Sequence, residues 1–351
     1  MPLKDVSKIG VVMYGLLGDV LMRTPVLREL RVLYPEGAIV ALVDPIGKEA
    51  LRLTNLIDDL IVLDRNKRVL TLYFWHKVIH LLKVRHAQFD LLIDLYSGQS
   101  SRQLVKLSGA RYQIFSEFGK VRTNFAYPLE GKADLFSFEN PHHLGNASLR
   151  VFSAITAAAI NCCTRPALDI DRLLTRLMKR NEKLGTNRGC FFLVSLGAGD
   201  PKKIPDIVTI ARVCELVFKT KGYTPRVIKN PGNEILQETL VDELQKRAVP
   251  VQPLELLGLE DIACEMLASR FLITPDSGLF HLAIGLGVRV LSFFTYTNPE
   301  LVRPNAKNCL ILFEPDFGSA HATTMLPFGK GTPAPEKVLE ATTVFLSSIE
   351  E

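Results

Sequence analysis

The sequence predicts an α/β protein built from two tandem Rossmann-like domains. Its 351 residues are the length of about two ordinary domains. From residue 9 onward, short apolar runs alternate with amphipathic stretches, which is the pattern of βαβ units. This alternation weakens around residues 164–188 and restarts at residue 190. With 47% hydrophobic and 23% charged residues, the composition excludes a disordered or fibrous class.

The first half predicts a doubly wound sheet. Its strand-like runs are rich in Val, Ile and Leu, as expected for parallel strands that helices cover on both faces. The predicted elements in chain order are strand 9–14, helix 19–34, strand 38–44, strand 60–64, helix 70–85 and strand 89–96. We assign residues 1–167 to an N-terminal domain.

The second half repeats this plan. Its predicted elements are strand 190–199, a helix from residue 205, strand 224–230, a helix from residue 233, helix 259–269, strand 271–275, a helix after residue 276 and strand 288–294. We assign residues 188–334 to a C-terminal domain and the charged stretch 168–187 to a linker. Residues 335–351 are assigned to a terminal helix, because their apolar residues have helical spacing.

Several protein classes are excluded by composition. No run approaches the roughly 18–20 apolar residues that a membrane span requires, and residues 1–8 lack the hydrophobic core of a secretory signal. We therefore expect a cytoplasmic protein. The six cysteines show no Cys-x-x-Cys spacing, which argues against a zinc site and a disulfide framework. The net charge of +5 is too small to indicate nucleic-acid binding.

The glycine-containing loops do not complete a cofactor motif. The first loop has glycines at 15 and 18, and the second at 197 and 199, so neither matches Gly-x-Gly-x-x-Gly. The Walker pattern Gly-x4-Gly-Lys-Ser/Thr is also missing from the second loop. A dinucleotide fingerprint is therefore incomplete, and ATP hydrolysis by a P-loop is excluded.

Candidate residues follow the predicted strands, because ligands of open parallel sheets bind beyond the carboxyl ends of the strands. Asp19 stands where the first strand becomes a helix, and its carboxylate either caps the helix or acts as a general base. Lys202 and Lys203 precede Pro205, a typical first-turn residue, so that both ammonium groups suit one diphosphate. A solvated lysine pair is the alternative.

Two more loops carry candidates. Residues 276–278, Asp-Ser-Gly, start a helix whose small residues let a ligand approach the backbone. A hydrolase elbow needs Gly-x-Ser-x-Gly, and Pro275 stands at the first glycine position. His281 either reaches the same ligand or packs in the core. Glu234 either accepts hydrogen bonds from a sugar or ribose hydroxyl or serves the helix macrodipole.

Residues 65–89 form a basic amphipathic stretch without an acidic residue. Its six basic residues are Arg65, Lys67, Arg68, Lys77, Lys83 and Arg85. Trp75, Val78, Ile79 and Leu82 have helical spacing, so we expect them to pack on the sheet and the cations to face outward. The outward face either contacts an anionic membrane or phosphorylated lipid, or is merely solvated.

Together these residues resemble glycosyltransferase family 9, the ADP-heptose:lipopolysaccharide heptosyltransferases, over most of the chain. The first domain carries Gly-Asp-Val-Leu at 18–21 and Ser-Gly-Ala at 108–110. The second carries Lys-Lys-Ile-Pro at 202–205, Gly-Asn-Glu at 232–234 and Asp-Ser-Gly-Leu-x-His at 276–281. The first and last of these runs make a fairly specific combination.

The resemblance implies a GT-B fold, with two Rossmann-like domains facing a cleft, and an inverting, metal-independent glycosyltransferase. Heptose or a related sugar would pass from ADP-heptose to a lipopolysaccharide inner-core acceptor. Asp19 would be the base on the acceptor hydroxyl, and Lys202 would stabilise the leaving diphosphate. The implied donor-binding residues are Lys202, Lys203, Glu234, Asp276, Ser277, Gly278, His281 and Thr297.

The resemblance also implies partners. We expect no cofactor besides the nucleotide-sugar substrate, and we expect no nucleic-acid partner. The expected partners are the nucleotide sugar, a lipid-linked saccharide acceptor and, peripherally, the inner face of the cytoplasmic membrane, with the six basic residues of 65–85 as the acceptor or membrane surface.

Some positions depart from the family pattern and leave the donor open. Ile204 stands where the family usually has Trp, and Thr295-Tyr296 replaces a Gly-Pro pair near the donor. Two alternatives share this architecture. A nucleotide-sugar epimerase would need no lipid acceptor, and a nucleotide-sugar-binding protein would have lost turnover.

Overall fold

The chain folds into two compact units, residues 1–168 and 169–351, in a computed structural model. The structure describes residues 3, 5–63, 70–96, 98–117, 120–123, 165–184, 190–232, 234–255, 257–297, 299, 308–314 and 331–349. In both units, helices alternate with the strands of a mostly parallel sheet, and the predicted α/β class is confirmed.

The first unit contains a six-stranded sheet in the order β3-β2-β1-β4-β5-β6. All neighbouring strands are parallel except β5 and β6, which are antiparallel. The elements are β1 (Lys8–Val12), α1 (Leu17–Leu33), β2 (Ala38–Val43), α2 (Pro45–Leu51), β3 (Asp59–Val62), α3 (Leu70–His86), β4 (Leu91–Asp94), α4 (Gln99–Leu107), β5 (Tyr112–Glu117) and β6 (Lys120–Thr123).

The second unit contains a parallel six-stranded sheet in the order β12-β11-β10-β7-β8-β9. The elements are α5 (Ile170–Leu184), β7 (Phe191–Val194), α6 (Ile207–Lys221), β8 (Thr224–Ile228), α7 (Glu234–Lys246), β9 (Gln252–Leu254), α8 (Leu259–Ala268), β10 (Leu272–Pro275), α9 (Gly278–Leu286), β11 (Val290–Phe294), β12 (Cys309–Phe313) and α10 (Pro335–Ser347). Its core includes the stacked rings of Phe192 and Phe271, whose centroids are 4.9 Å apart.

In both sheets the strand order reverses at one point. The reversal lies between β1 and β4 in the first unit and between β7 and β10 in the second. Ligands of doubly wound sheets bind outside the carboxyl ends of the strands at such a switch point. The loops that follow these four strands are therefore the places to look for a site.

Helix α1 contains Pro25 in its interior, which removes one backbone donor. The carbonyl of Leu21, four residues earlier, would have accepted from that donor. The Thr24 hydroxyl donates to this carbonyl at 2.7 Å instead. The Ala167 N–H in turn donates to the Thr24 hydroxyl at 2.8 Å. The buried carbonyl is thus satisfied, and the helix continues past the proline.

Residues 168–187, which we expected to form a linker, contain α5. Salt bridges attach this helix to α8 of the second unit: Arg176 contacts Glu260 and Asp261, each at 2.8 Å. Arg180 and Arg226 both contact the carboxylate of Glu265, which is 4% exposed. The Arg176 charge, in the stretch that we assigned to a linker, is thus paired with residues more than 80 positions away.

Helix α3 packs in a different orientation from the predicted one. Val84 is 1% exposed and belongs to a core cluster with Phe89. Trp75, Ile79 and Leu82, which we expected on the sheet, are 62%, 45% and 59% exposed. At about 100° per residue these three lie on the side opposite Val84, so the helix buries its other face.

Candidate functional site

Asp19 lies in the first turn of α1, after the turn that leaves β1. Its Oδ2 accepts a hydrogen bond from the Leu16 N–H at 2.9 Å, and the carboxylate is half-buried. The acid therefore caps the helix, and solvent still reaches it. A negative charge at a helix N-terminus is favoured by the macrodipole. Capping does not remove the carboxylate from chemistry, so the role of base stays a prediction.

Gly15 is required for this placement of Asp19. It has a φ of +132°, a conformation that residues with a side chain rarely adopt. A Cβ at this position would lie 2.7 Å from Asp19 Oδ2. The Gly15 N–H also donates to Asp44 Oδ2 at 2.9 Å, which fixes the turn to the end of β2.

A buried polar network lies beside this turn, at the ends of β1 and β4. The Arg23 guanidinium, 6% exposed, donates to the Tyr14 carbonyl and lies 6.0 Å from the Tyr96 ring centroid. Asp94, which is fully buried, accepts from the Ser101 hydroxyl at 2.8 Å and from the Tyr96 N–H at 3.0 Å. We did not single out Asp94 or Arg23 from the sequence. A carboxylate within the apolar run 89–96 is the signal that marks Asp94.

In the second unit, an ion pair joins the loops that follow β7 and β10. Lys203 Nζ lies 2.6 Å from Asp276 Oδ2. The Asp276 side chain is 6% exposed and that of Lys203 is 29% exposed. His281, which is 3% exposed, has its Nε2 4.0 Å from Asp276 Oδ1. These loops meet at the switch point that the strand order predicts.

Lys202 is placed differently from its neighbour. It is exposed, and its Nζ lies 5.0 Å from the centroid of the Tyr296 ring. Its N–H donates to Asp200 Oδ1 at 2.9 Å, and its carbonyl accepts from the buried Thr295 hydroxyl at 2.7 Å. From the sequence we expected the two lysines to act as a pair, which either faces one diphosphate or is solvated. The structure engages Lys203 with Asp276 and leaves Lys202 at the surface.

Ser277 and Gly278 form the beginning of α9. Ser277 is the N-cap residue, and its Oγ lies 3.1 Å from Thr274 Oγ1. Both residues are half-exposed, next to the ion pair of Asp276. The first N–H groups of a helix have no partner within the helix and favour an anion. Tyr296 and Thr297 lie in the loop after β11, the strand next to β10, and Thr297 is half-buried.

Glu234 begins α7, in the loop after β8. The pKa of the Glu234 carboxyl lies below its ordinary value. The carboxylate accepts hydrogen bonds from its own N–H and from the Gly232 N–H at 3.1 Å, and the Lys229 ammonium lowers the pKa further. Asn230, at the end of the same strand, lies against Gly197, where a Cβ would be 2.4 Å from Asn230 Cγ. The loops after β7 and β8 are therefore in contact.

The predicted basic surface is described only in part. Lys77, Lys83 and Arg85 lie on α3 and are exposed. Arg65, Lys67 and Arg68 lie outside the described residues. None of the described helices is long and apolar enough to span a membrane.

Within the described part of the chain, no cluster of three or more His, Cys, Asp or Glu side chains is arranged to hold a metal ion. The sequence contains one Asp-x-Asp run, at residues 169–171. Asp169 accepts a hydrogen bond from the Arg172 N–H at 3.2 Å and lies at the start of α5.

Comparison with known proteins gives matches in sequence and fold. Residues 218–325 match the sequence model of glycosyltransferase family 9 (heptosyltransferase). A glycosyl transferase family 9 structure from Veillonella parvula DSM 2008 is 18% identical, with 99% of each chain covered and a TM-score of 0.74. No curated protein sequence matches the chain.

Two E. coli structures have the same fold. Heptosyltransferase WaaC with ADP is 15% identical, with 97% of this chain and 99% of that chain covered and a TM-score of 0.71. ADP-heptose lps heptosyltransferase II is 14% identical, with 98% and 100% covered and a TM-score of 0.69. The family match thus lies within the second unit, and the whole chain shares the fold of these structures.

Proposed function

We propose that the chain transfers heptose, or a related sugar, from ADP-heptose to a lipid-linked saccharide of the lipopolysaccharide inner core, with inversion and without a metal ion. The observation that carries this proposal is the arrangement around the Lys203–Asp276 ion pair. That pair joins two loops at the carboxyl edge of the second sheet and leaves the Lys202 ammonium exposed beside Tyr296. A cation, an aromatic ring and the start of α9 suit a nucleoside diphosphate.

The donor is assigned to the second unit. Lys202 and the first N–H groups of α9 would meet the negative charge that develops on the leaving diphosphate. Lys203 is engaged with Asp276, so we assign it a positioning role in holding the two loops together. The Glu234 carboxylate, whose pKa lies below its ordinary value, would accept hydrogen bonds from sugar or ribose hydroxyls.

The acceptor is assigned to the first unit, where Asp19 would act as general base. The carboxylate takes the proton of the acceptor hydroxyl as its oxygen attacks the anomeric carbon. The new carbon–oxygen bond forms opposite the diphosphate as the bond to the diphosphate oxygen breaks, which inverts the configuration. A half-exposed carboxylate held in place by the Leu16 N–H is suited to this role.

A thermal-shift titration with ADP, UDP, GDP and their sugar conjugates tests the donor assignment. A ligand at 100 times its Kd stabilises the folded state by about 2.7 kcal/mol. We expect selective stabilisation by ADP and ADP-heptose, and loss of it in Lys202→Met. A preference for UDP-sugars would contradict the assigned donor and leave the glycosyltransferase class intact. Release of free sugar without an acceptor would favour an epimerase, and donor binding without transfer would favour a binding protein.

A further inference from the structure

Helix α3 presents an apolar ridge to solvent. Trp75, Ile79 and Leu82 are 62%, 45% and 59% exposed, although they are large hydrophobic side chains. They lie on one stripe of the helix, opposite the buried Val84. Scattered exposed hydrophobic residues are common on protein surfaces, but a contiguous stripe of them marks an interaction surface.

Cations lie on both sides of this ridge. At about 100° per residue, Lys83 falls about 80° to one side of the stripe and Arg85 about 80° to the other. Both are exposed. Residues 65–89 contain no acidic residue, so nothing in this stretch of the sequence opposes their charge. Lys and Arg side chains keep the charged end in water while the aliphatic stem lies along an apolar layer.

We propose that the apolar ridge (Trp75, Ile79 and Leu82) inserts into the surface of an anionic lipid bilayer, with Lys83 and Arg85 at the level of the headgroups. An apolar stripe flanked by cations is the pattern of a helix that lies in a membrane interface, and a Trp ring suits that depth. A second copy of the chain would place the two pairs of cations against each other, which charge complementarity disfavours. The inference deepens the proposed function, because a lipid-linked acceptor lies at such a surface.

The lone tryptophan of the sequence makes this insertion directly measurable. Trp75 is the single Trp among 351 residues, so the intrinsic Trp fluorescence reports on the ridge alone. The experiment mixes the full-length protein with vesicles of phosphatidylcholine alone, or with about one quarter phosphatidylglycerol. We expect a blue shift and quenching by lipids brominated in the acyl chain, and co-sedimentation, with the anionic vesicles only.

Two double variants separate the contributions. Ile79→Ser with Leu82→Ser keeps the fluorophore and should weaken partition at least about 10-fold, since two apolar side chains no longer leave water. Lys83→Ser with Arg85→Ser should weaken it about 25-fold on anionic vesicles, about fivefold for each cation. Val344→Ser, at an exposed apolar residue of α10, is the matched control and should bind as the unmodified protein does.

The results also separate this inference from the proposed reaction. The vesicles contain neither acceptor nor donor, so binding is independent of sugar transfer. Equal binding of the Ile79→Ser/Leu82→Ser protein, or a blue shift that appears without lipid as protein concentration rises, would overturn the proposal; the latter would indicate self-association. Transfer to a delipidated, water-soluble acceptor should be unchanged in this variant, and transfer to acceptor in vesicles should fall.

Discussion

Replacement of each of the two neighbouring lysines by Met should affect a different property. Lys203→Met should lower stability, whereas Lys202→Met should lower the transfer rate. Lys203→Met leaves the Asp276 carboxylate, 6% exposed, without its partner at 2.6 Å. Removing one partner of a fully buried pair costs about 3–5 kcal/mol, whereas an exposed pair contributes about 0–1 kcal/mol. Because the Lys203 side chain is 29% exposed, we expect an intermediate loss of about 2 kcal/mol. For a unit of this size that lowers Tm by about 4–8 °C.

Lys202→Met removes an exposed cation that forms no ion pair among the described contacts. We expect its free energy of unfolding to stay within about 0.5 kcal/mol of the unmodified protein. Its transfer rate should fall by about 10²–10³, the loss seen when one group that stabilises developing charge is removed. The contrast therefore assigns loop stability to Lys203 and leaving-group stabilisation to Lys202.

The assay combines thermal unfolding with transfer kinetics on both variants. Lys246→Met is the matched control, because Lys246 forms an exposed ion pair with Glu243 at 2.7 Å and its loss should leave Tm nearly unchanged. Lys203→Met combined with Asp276→Asn should recover part of the stability, since no charge is then buried without a partner. If Lys203→Met has the same Tm as the unmodified protein, the ion pair does not hold these loops together.

Three further predictions concern the first unit. Asp19→Asn keeps an oxygen that accepts from Leu16 N–H, so Tm should change little while the transfer rate falls by about 10²–10⁴; full activity would make Asp19 a cap alone. Gly15→Ala places a Cβ against Asp19 at a φ of +132° and should lower both stability, by about 1–3 kcal/mol, and activity; an unchanged melting curve would contradict the strain. Burial raises the pKa of Asp90, but hydrogen bonds from Ser7 and Lys8 outweigh it and lower the pKa. Its stabilising effect is thus present above about pH 4 and lost as pH falls through the lower folded-state pKa, and Asp90→Asn should flatten the fall of Tm as the pH drops below about 4.

The sequence predicted most of the fold because parallel strands are buried on both faces. Runs such as 9–14 and 271–275 are almost entirely apolar, so their position and order can be predicted without a structure. The loops that follow them are then placed at one edge of each sheet by topology alone. This is why Asp19 and residues 276–278 were located correctly at strand ends, at the switch points of the two sheets.

Contacts between distant positions account for what the sequence did not predict. Lys203 pairs with a residue 73 positions away, and no local spacing distinguishes it from Lys202. The many charges of α5 are typical of a linker in the sequence, and only the structure shows that Arg176 forms salt bridges with α8. Both faces of α3 carry apolar side chains at helical spacing, and periodicity does not say which one the sheet covers.

The proposed reaction transfers a sugar from a nucleotide diphosphate donor to a lipid-linked saccharide. Its most direct test incubates the protein with ADP-heptose and the inner-core acceptor in vesicles, and measures ADP release together with the mass of the acceptor. We expect one ADP for each acceptor molecule that gains a heptose, and loss of both signals in Asp19→Asn. Hydrolysis to free heptose, or donor binding with no change in acceptor mass, would contradict the proposed reaction.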